Sequence, residues 1–528
     1  MTKKINILLI FLLILSSCGK HSNDLNTIID SVTKNEMQST LEFLSLDLLK
    51  GRAPGTRGGE LAEQYMKSVY KLLDFEPYQG NYFHPFILKG YSIHDLSLSL
   101  NRIPCKLHKD VMGSYTREQK QFTINGGVVF AGFGIISEDW NWNDYKGVSV
   151  KDKFVIIRVN EPGPENPDLF KGSALTYYGR WTYKIEEAAR QGARGILLIH
   201  TKESAGYGWE VVQNSWGGEE LYLPSMVDNN LAFRGWIREE KLQSILSENK
   251  ISLDRLYRQS EKRNFKPVDL DLSIQIKGTN SFRTLKTRNV VGVIPGNHNK
   301  LKEKAVILSA HIDHLGMDPA LKGDAIFNGA IDNAAAVAAM MTTAKILKKY
   351  QQNLEYSIIV LACQAEESGL LGSRYFASTL DPENIIANIN FESTPVWEKS
   401  RDIMAVGAKY SSLEDIIKKI AEKQNLDYSY FSMSNQGFFY RSDQFSFARQ
   451  GIPSIWISAG EDFVSGENKI KEFFLGNYHT VKDEYNPDWP LESLKQTVTM
   501  SVLLVDYLNR YTPEITWKGK MTFPVENK

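Results

Sequence analysis

From about residue 287 onward, short unbroken apolar runs alternate with segments that repeat apolar residues at helical spacing. The runs predict strands at 289–294, 305–310, 357–363, 385–391 and 454–458, and the other segments predict helices near 334–350, 411–424, 443–449 and 490–510. Strands without polar alternation are typical of a sheet buried on both faces. The pattern predicts a three-layer α/β fold with a mostly parallel mixed central sheet, whose sites form beyond the carboxyl ends of strands.

A histidine and an aspartate directly follow the second predicted strand. They are His311 and Asp313. Residues two apart on a strand share a face, so the Asp313 carboxylate can orient the His311 imidazole and leave one ring nitrogen facing a metal ion. A lone histidine is more often structural, but the His-x-Asp spacing at a strand end favours a ligand.

Asp332 precedes an alanine-rich segment that is predicted to be helical. Aspartate is a favoured helix N-cap, and this role alone would explain the residue. Its two carboxylate oxygens could equally bridge two cations. The two interpretations are compatible, and the sequence leaves both open.

Other acidic residues and a second histidine complete the set. Glu366 and Glu367 follow the strand 357–363, Glu392 follows the strand 385–391, and His479 lies in a late polar loop. Adjacent buried carboxylates are costly unless a positive charge compensates them, although an acidic first helical turn is an alternative. One carboxylate can bind a metal while its neighbour acts as a general base. Together these residues form the mixed nitrogen and oxygen ligand set that suits Zn²⁺.

With their flanking residues, these positions resemble the M28 zinc peptidases, specifically secreted bacterial aminopeptidase-like members that carry a protease-associated (PA) domain. The matching stretches are 51–58, 309–316, 328–334, 366–373, 390–392, 442–448 and 478–480, and the segments 132–134 and 188–193 resemble PA-domain signatures. The resemblance covers nearly the whole chain after its N-terminus. It implies a zinc-exopeptidase fold with an inserted β-rich PA domain.

The resemblance also implies the roles of the site residues and a cofactor of two zinc ions. His311 would bind one zinc, Asp332 would bridge both, and the implied ligands together are His311, Asp332, Glu367, Glu392 and His479. The family usually has an aspartate where this chain has Glu392, whose extra methylene moves the carboxylate by about 1 Å or more. A cis peptide bond is implied after Asp332.

The implied reaction is hydrolysis of a peptide bond by an aminopeptidase, with peptides as substrates and Glu366 as general base. Tyr478 is a candidate donor to the developing oxyanion, and a packing ring is an equal alternative. Arg441 and Asp443 are candidates for the substrate pocket, although Asp443 is equally a helix cap. A one-zinc glutaminyl cyclase and an inactive binding protein on the same fold are the rival functions, and a dipeptidase or carboxypeptidase is a third alternative.

The N-terminus has the pattern of a targeting segment. Lys3 and Lys4 precede an apolar run over 5–15, which is too short to span a bilayer. The following Leu-Ser-Ser-Cys resembles the lipobox of bacterial lipoproteins, whose cysteine, here Cys18, is lipidated; an ordinary signal-peptidase site is the alternative. The sequence predicts an exported bacterial lipoprotein anchored at Cys18 and facing the periplasm or the cell exterior.

Changes in sequence pattern suggest the domain boundaries. The predicted units are a signal peptide at 1–18, a tether at 19–35, an N-terminal part of the peptidase domain at 36–120, a PA-like insert at 121–278, a zinc peptidase domain at 279–515 and a C-terminal tail at 516–528. In the insert, Tyr177, Tyr178, Arg180 and Trp181 are predicted near the cleft, with a packed aromatic patch as the alternative.

Charge and cysteine content narrow the possible partners. Lys and Arg total 62, as do Asp and Glu, so nothing in the charge balance favours nucleic acid. Apart from Cys18, only Cys105 and Cys363 remain, and they do not form a disulfide framework. Cys363 is predicted to be a buried free thiol. The sequence leaves the oligomeric state open.

Overall fold

The computed structural model describes residues 24–164, 166, 168–172, 174–205, 208–225, 230–433 and 436–526. The predicted signal peptide and Cys18 lie outside these residues. Within the described part of the chain, no helix is long and apolar enough to cross a membrane. Both described cysteines, Cys105 and Cys363, are buried and free, which confirms the prediction made for Cys363.

Fourteen α-helices and twenty β-strands are formed by the described residues. The helices are α1 Leu25–Asp30, α2 Lys34–Leu44, α3 Arg57–Leu72, α4 Trp181–Arg190, α5 Lys202–Ala205, α6 Trp209–Ser215, α7 Glu239–Glu248, α8 Leu253–Ser260, α9 Ala336–Lys349, α10 Leu371–Ser378, α11 Leu413–Lys423, α12 Gln444–Ala448, α13 Lys469–Gly476 and α14 Glu492–Tyr511. The strands are β1 Glu76–Pro77, β2 Phe83–Leu100, β3 Ile103–Cys105, β4 Val111–Tyr115, β5 Gln121–Phe130, β6 Ile136–Ser137, β7 Trp142–Asn143, β8 Phe154–Arg158, β9 Gly195–His200, β10 Glu220–Tyr222, β11 Phe233–Arg238, β12 Val268–Ile294, β13 Ala305–His311, β14 Gly316–Met317, β15 Ile326–Phe327, β16 Ser357–Cys363, β17 Ile385–Asn390, β18 Asp402–Val406, β19 Asp427–Ser429 and β20 Ser454–Ala459.

One 16-stranded sheet runs through the molecule, in the main order β19-β18-β20-β17-β13-β16-β12-β5-β8-β9-β11-β4. The strands β19 to β16 of this order are here called the C-terminal half-sheet, and β5 to β4 the inserted half-sheet. In the C-terminal half-sheet, β20, β17, β13 and β16 are parallel neighbours, and β18 is antiparallel to β20. Four of the five predicted strands are therefore parallel neighbours with their carboxyl ends at one edge, whereas the predicted strand 289–294 belongs to β12 and is antiparallel to β16.

Helices cover both faces of the C-terminal half-sheet and give the predicted three layers. On one face, α2, α3, α9, α11 and α14 enclose the largest apolar core, and on the other α10 and α12 cover a smaller one. The central strands β13 and β16 are buried along their whole length. Burial on both faces explains why these strands are uninterrupted apolar runs in the sequence.

The strand β12 joins the two half-sheets. It pairs antiparallel with β16 on one side and with β5 on the other, and it also pairs with β2 over most of its length. The inserted half-sheet continues through β8, β9 and β11, which are parallel, to β4. Its assignment to a PA domain remains a prediction.

The observed organisation differs from the predicted boundaries. Residues 24–35 are not an extended tether, because α1 buries Leu25, Ile28 and Ile29 in the main core. The sequence did not predict this helix because its apolar residues are few and lie among polar neighbours. The boundaries at 120/121 and 278/279 divide shared structure, since Leu98 and Val111 already belong to the core of the inserted half-sheet and β12 crosses 278. The predicted C-terminal tail at 516–528 also packs against the rest of the protein, because Phe523 is buried in an apolar cluster.

Candidate metal centre

The candidate ligands meet at the carboxyl edge of the C-terminal half-sheet. His311 is the last residue of β13, and Glu367 and Glu392 lie just beyond β16 and β17. Because these three strands are parallel neighbours, the residues that follow them converge. Two loops supply the remaining ligands: Asp332 lies in a π-turn, Ala330–Ala335, and His479 follows α13.

A first group of ligand atoms surrounds Nε2 of His311. This nitrogen lies 3.2 Å from Oδ1 of Asp332 and 3.4 Å from Oε1 of Glu392. The other ring nitrogen, Nδ1, donates to the backbone carbonyl of Asp313 at 3.1 Å. With Nδ1 protonated, the lone pair of Nε2 points at the two carboxylates, which is the tautomer that a metal ligand requires.

A second group surrounds Nε2 of His479. This nitrogen lies 3.2 Å from Oδ2 of Asp332 and 3.1 Å from Oε2 of Glu367. The two oxygens of Asp332 therefore face different histidines. Asp332 is the only one of these side chains shared by the two groups, which is the arrangement expected of a bridging carboxylate.

Both groups fit divalent cations. Two atoms bound about 2.0–2.1 Å from one tetrahedral zinc lie roughly 3.3–3.4 Å apart, close to the spacings within each group. Among the described residues, Oδ1 of Asp332 and Nε2 of His479 are buried without a hydrogen-bond partner. Ligand atoms of His311, Asp332 and Glu367 all lie within 4.8 Å of one another. Buried unpaired donors and acceptors of this type indicate a cation site.

The loop that carries Asp332 is held by its backbone. Asp483 accepts hydrogen bonds from the amides of Ile331 and Asp332, at 2.8 and 2.9 Å. Gly329 has a φ of 59°, and a Cβ there would lie 2.2 Å from the carbonyl oxygen of Asp332, so glycine is required. The peptide bond after Asp332 is cis, as the resemblance implies. The carboxylate caps no helix, because the turn and α9 lack side-chain caps.

Asp313 is used differently from its predicted role. Its carboxylate is 3.8 Å from Nδ1 of His311, and the closer contact to that nitrogen is the Asp313 backbone carbonyl. The carboxylate instead accepts hydrogen bonds from the amides of Glu366 and Glu367, at 3.2 and 3.4 Å. Asp313 thus connects the turn after β13 with the turn after β16.

Glu392 occupies the position at which the family usually has an aspartate, and its carboxylate reaches the first group of ligand atoms. Its Oε2 accepts a hydrogen bond from the Ser442 hydroxyl at 2.6 Å, which leaves Oε1 turned toward His311. The amide of Asn390 donates to the same hydroxyl at 3.0 Å. A serine on the facing loop therefore fixes the longer side chain.

The structure adds Arg52, to which the sequence assigned no role. It is buried, and its guanidinium donates to the backbone carbonyls of Ile312 at 2.8 Å and Gly329 at 3.1 Å, and also to those of Asn328 and Leu44. The carbonyls of Ile312, Asn328 and Gly329 belong to the segments that carry His311 and Asp332, whereas that of Leu44 lies at the end of α2. The signal in the sequence is the turn-rich motif 51–58, but three of the four carbonyls that Arg52 contacts are more than 250 residues away.

His314 is a second residue missed by the sequence interpretation. It is buried, and its Nδ1 lies 2.6 Å from Oε1 of Glu367. The other carboxylate oxygen of Glu367 faces His479. His314 therefore orients a candidate ligand, and only its position close after His311 could have drawn attention to it.

A cavity of about 400 Å³ opens beside the second group of ligand atoms. Glu366, Glu367, Tyr478 and His479 line it on the C-terminal side. Of the four residues predicted near the cleft, Tyr177, Arg180 and Trp181 line the cavity, whereas Tyr178 packs against other aromatic rings. Arg441 also lines it, but Asp443 is fully buried and is not among the lining residues.

Burial shifts the pKa of both candidate catalytic groups. It raises the pKa of Glu366 well above its usual range, with Glu392 and Glu367 adding to the shift. Burial also raises the pKa of Tyr478, so its hydroxyl keeps its proton at neutral pH. The Tyr478 ring stacks on His479 with centroids 3.9 Å apart. The Tyr478 side chain therefore both packs against His479 and lines the cavity.

The profile of peptidase family M28 matches residues 289–502, which include every candidate ligand and Glu366. Residues 289–502 are a peptidase family M28 domain. The match confirms the resemblance to the M28 peptidases that was drawn from the sequence, and it does not extend to the predicted PA domain. No curated protein matches the chain.

Solved structures align with almost the whole chain. The aminopeptidase from Aneurinibacillus sp. strain AM-1 is 16% identical, with a TM-score of 0.54 and coverage of 95% of this chain and 98% of that chain. A zinc aminopeptidase from Bacillus subtilis is 18% identical (TM-score 0.45; 93% and 98%), and a peptidase M28 precursor from Shewanella amazonensis SB2B is 17% identical (TM-score 0.45; 94% and 98%). The first of these likenesses confirms the predicted fold class.

Proposed function

We propose that the chain is a zinc-dependent exopeptidase that removes the N-terminal residue of peptides. The observation that carries this proposal is the pair of cation groups that share Asp332, with Glu366 beside them at the cavity. The location of these groups in an M28 domain supports peptide-bond hydrolysis as the reaction.

Two zinc ions are proposed as the cofactor. His311, Asp332 and Glu392 would hold one, and Asp332, Glu367 and His479 would hold the other. When bound, the ions would activate a water molecule and polarise the scissile carbonyl. Nitrogen and carboxylate oxygen ligands of this kind suit Zn²⁺.

Glu366 is the proposed general base. Its Oε2 lies 3.9 Å from Nε2 of His311, which places its carboxylate beside the first cation group without belonging to it. Glu366 takes a proton from the attacking water and passes it to the leaving amine. The Tyr478 hydroxyl, which keeps its proton, donates a hydrogen bond to the developing oxyanion.

The proposed exopeptidase specificity rests on the shape and charge of the site. A cavity of about 400 Å³ has room for the first residues of a peptide but not for a long extended chain on both sides of the scissile bond. The free N-terminal amine of a substrate would be bound by carboxylates, with Glu392 and Glu366 as its partners. An N-terminal amine is therefore favoured over a C-terminal carboxylate at this position.

A peptide digest tests the proposal. The zinc-loaded protein is incubated with a library of unblocked peptides, and mass spectrometry records which end shortens. Loss of single N-terminal residues is expected, and Glu366→Gln is expected to lower the rate at least a hundredfold while zinc content stays at two ions per chain. Undiminished cleavage by Glu366→Gln would exclude it as the base. One zinc per chain with cyclisation of N-terminal glutamine, and no released amino acid, would identify a glutaminyl cyclase instead.

We also propose that the enzyme is exported and anchored by a lipid on Cys18, as the lipobox-like sequence suggests. Expression in a bacterium with labelled palmitate is expected to give a labelled protein in the membrane fraction. Cys18→Ser is expected to abolish the label. A labelled Cys18→Ser protein would contradict the assignment.

A further inference from the structure

Arginines are prominent in the wall of the cavity beside the proposed metal centre. Those that line it are Arg180, Arg234, Arg374, Arg441 and Arg449. They come from both half-sheets and the segments around them. A substrate that enters the cavity therefore meets several guanidinium groups close to the scissile bond.

Three of these arginines are paired with acidic residues of the same wall. Arg449 and Arg374 both contact Oε1 of Glu186, at 2.8 and 3.1 Å. Arg234 lies 3.7 Å from a carboxylate oxygen of Glu220. Each of these three side chains has an acidic partner within the protein, so its guanidinium is less available to a charged substrate than an unpaired one.

Arg441 differs from them. Among the described residues, no carboxylate lies within 4.0 Å of its guanidinium. The group is half-buried and lies over the ring of Phe438, 4.8 Å from the ring centre to the guanidinium carbon. It is close enough to Tyr478 for its charge to act on that hydroxyl. A guanidinium held on an aromatic face keeps its donors free for a planar anion.

The charge balance of the centre points to the same residue. The site carboxylates are Asp332, Glu366, Glu367 and Glu392. Two bound dications would neutralise these four charges, so the candidate ligands and Glu366 would leave no net negative charge to compensate Arg441, which lines the same cavity. A carboxylate accepts two parallel hydrogen bonds from one guanidinium, which gives both affinity and orientation.

We propose that Arg441 binds a carboxylate of the substrate next to the scissile bond, so that the enzyme prefers peptides with an acidic group at that place. This inference rests on the proposed peptidase function. The carboxylate can come from an acidic side chain in the first two residues or from the C-terminus of a dipeptide. The chemistry is the same in each case, and the substrates below separate the sources.

The kinetic test compares substrate pairs that differ only in charge. The pairs are Glu-Ala-amide with Gln-Ala-amide, Ala-Glu-amide with Ala-Gln-amide, and Ala-Ala with Ala-Ala-amide. In at least one pair the acidic member is expected to have a kcat/KM about tenfold higher, mainly through a lower KM. In Arg441→Gln this ratio is expected to fall to about one, and Arg441→Lys is expected to retain part of it. Arg57→Gln, which removes an exposed charge remote from the cavity, is the control and should keep the wild-type ratio.

A binding measurement gives a second readout. Trp181 and Trp216 line the cavity, so tryptophan fluorescence can report a bound peptide. The zinc-loaded Glu366→Gln protein is titrated with each pair at low and high salt. The acidic peptide is expected to bind about tenfold more tightly at low salt, and the added Arg441→Gln change is expected to remove the difference.

The outcomes separate this inference from the proposed function. Cleavage of neutral peptides without an acidic preference in any pair would overturn the inference and leave the peptidase function standing. A preference that survives in Arg441→Gln would also overturn it. If the wild-type protein cleaves no peptide, the proposed function fails, and the fluorescence titration alone decides whether Arg441 binds a carboxylate.

Discussion

Replacing Arg52 by methionine is expected to weaken zinc binding without touching a ligand. The guanidinium donates to the carbonyls of Ile312 and Gly329, and to those of Asn328 and Leu44. Methionine has a similar length but no donor, so the change leaves these buried carbonyls without a partner. The loops that carry the first histidine ligand and the bridging aspartate then lose their common anchor.

The expected cost follows from these contacts. A buried carbonyl that loses its donor costs about 1–3 kcal/mol, so four such groups cost about 4 kcal/mol at the low end of that range. Part of this loss is offset, because burying a charged guanidinium itself costs several kcal/mol. A net destabilisation of about 2–4 kcal/mol is therefore expected. Loss of a group that orients metal ligands typically lowers metal affinity about 10- to 100-fold.

Two measurements test this prediction. Zinc affinity is measured by competition with a chelating dye, and stability by thermal unfolding of the metal-free protein. Arg52→Lys keeps the charge but not the planar fork, so an intermediate effect is expected. Arg57→Met is the matched control, because Arg57 lies in the same segment with its side chain 79% exposed.

Wild-type zinc affinity in a folded Arg52→Met protein would contradict this prediction. Leu98→Ala removes part of the core of the inserted half-sheet and serves as a second comparison. If it loses as much stability and zinc affinity as Arg52→Met, the lower affinity of Arg52→Met is a general result of destabilisation. Full recovery in Arg52→Lys would show that charge alone matters and that the hydrogen-bond geometry does not.

Three other changes have distinct expected results. Tyr478→Phe is expected to lower kcat at least a hundredfold with little change in KM, because the hydroxyl acts on the developing oxyanion; a change confined to KM in steady-state kinetics would contradict this. His314→Ala is expected to weaken zinc binding about tenfold in the same chelator assay, because Glu367 loses its 2.6 Å partner, and unchanged affinity would exclude this role. Burial alone would raise the pKa of Glu186, but Arg449 and its neighbours outweigh burial and hold it at about 2. Its ion pairs therefore add stability above the usual pKa of 4.5 that is lost as pH falls toward 2, so denaturant unfolding should depend less on acid pH in Glu186→Gln, and parallel pH curves would contradict this.

The strands and the positions of most candidate ligands were predictable because they depend on local sequence. A strand buried on both faces must be apolar throughout, and β13 and β16 show this directly. Polar residues that interrupt such runs stand out, as His311 and Glu367 do. Parallel neighbours then bring these strand ends together without any further information.

Contacts between distant segments could not be predicted in this way. Arg52 and Asp483 bind the backbone of the Asp332 loop from opposite ends of the chain, and no local pattern relates them. The hydrogen bond from Ser442 to Glu392 is also invisible in the sequence, although it decides where that carboxylate points. Long-range partners of backbone groups depend on the packed fold rather than on spacing along the chain.

The strand β12 has a mechanical consequence. Its 27 residues extend about 90 Å, and it is shared by the ladders on both sides of the molecule. Rotation of the inserted half-sheet against the C-terminal half-sheet would have to break hydrogen bonds in the middle of this strand. The continuous strand therefore resists such a rotation. We therefore expect the cavity beside the candidate metal centre, which residues of both halves line, to keep a nearly constant width through the catalytic cycle. The size of an accepted substrate would then be set by the side chains at the rim, and engineering of specificity should begin with them.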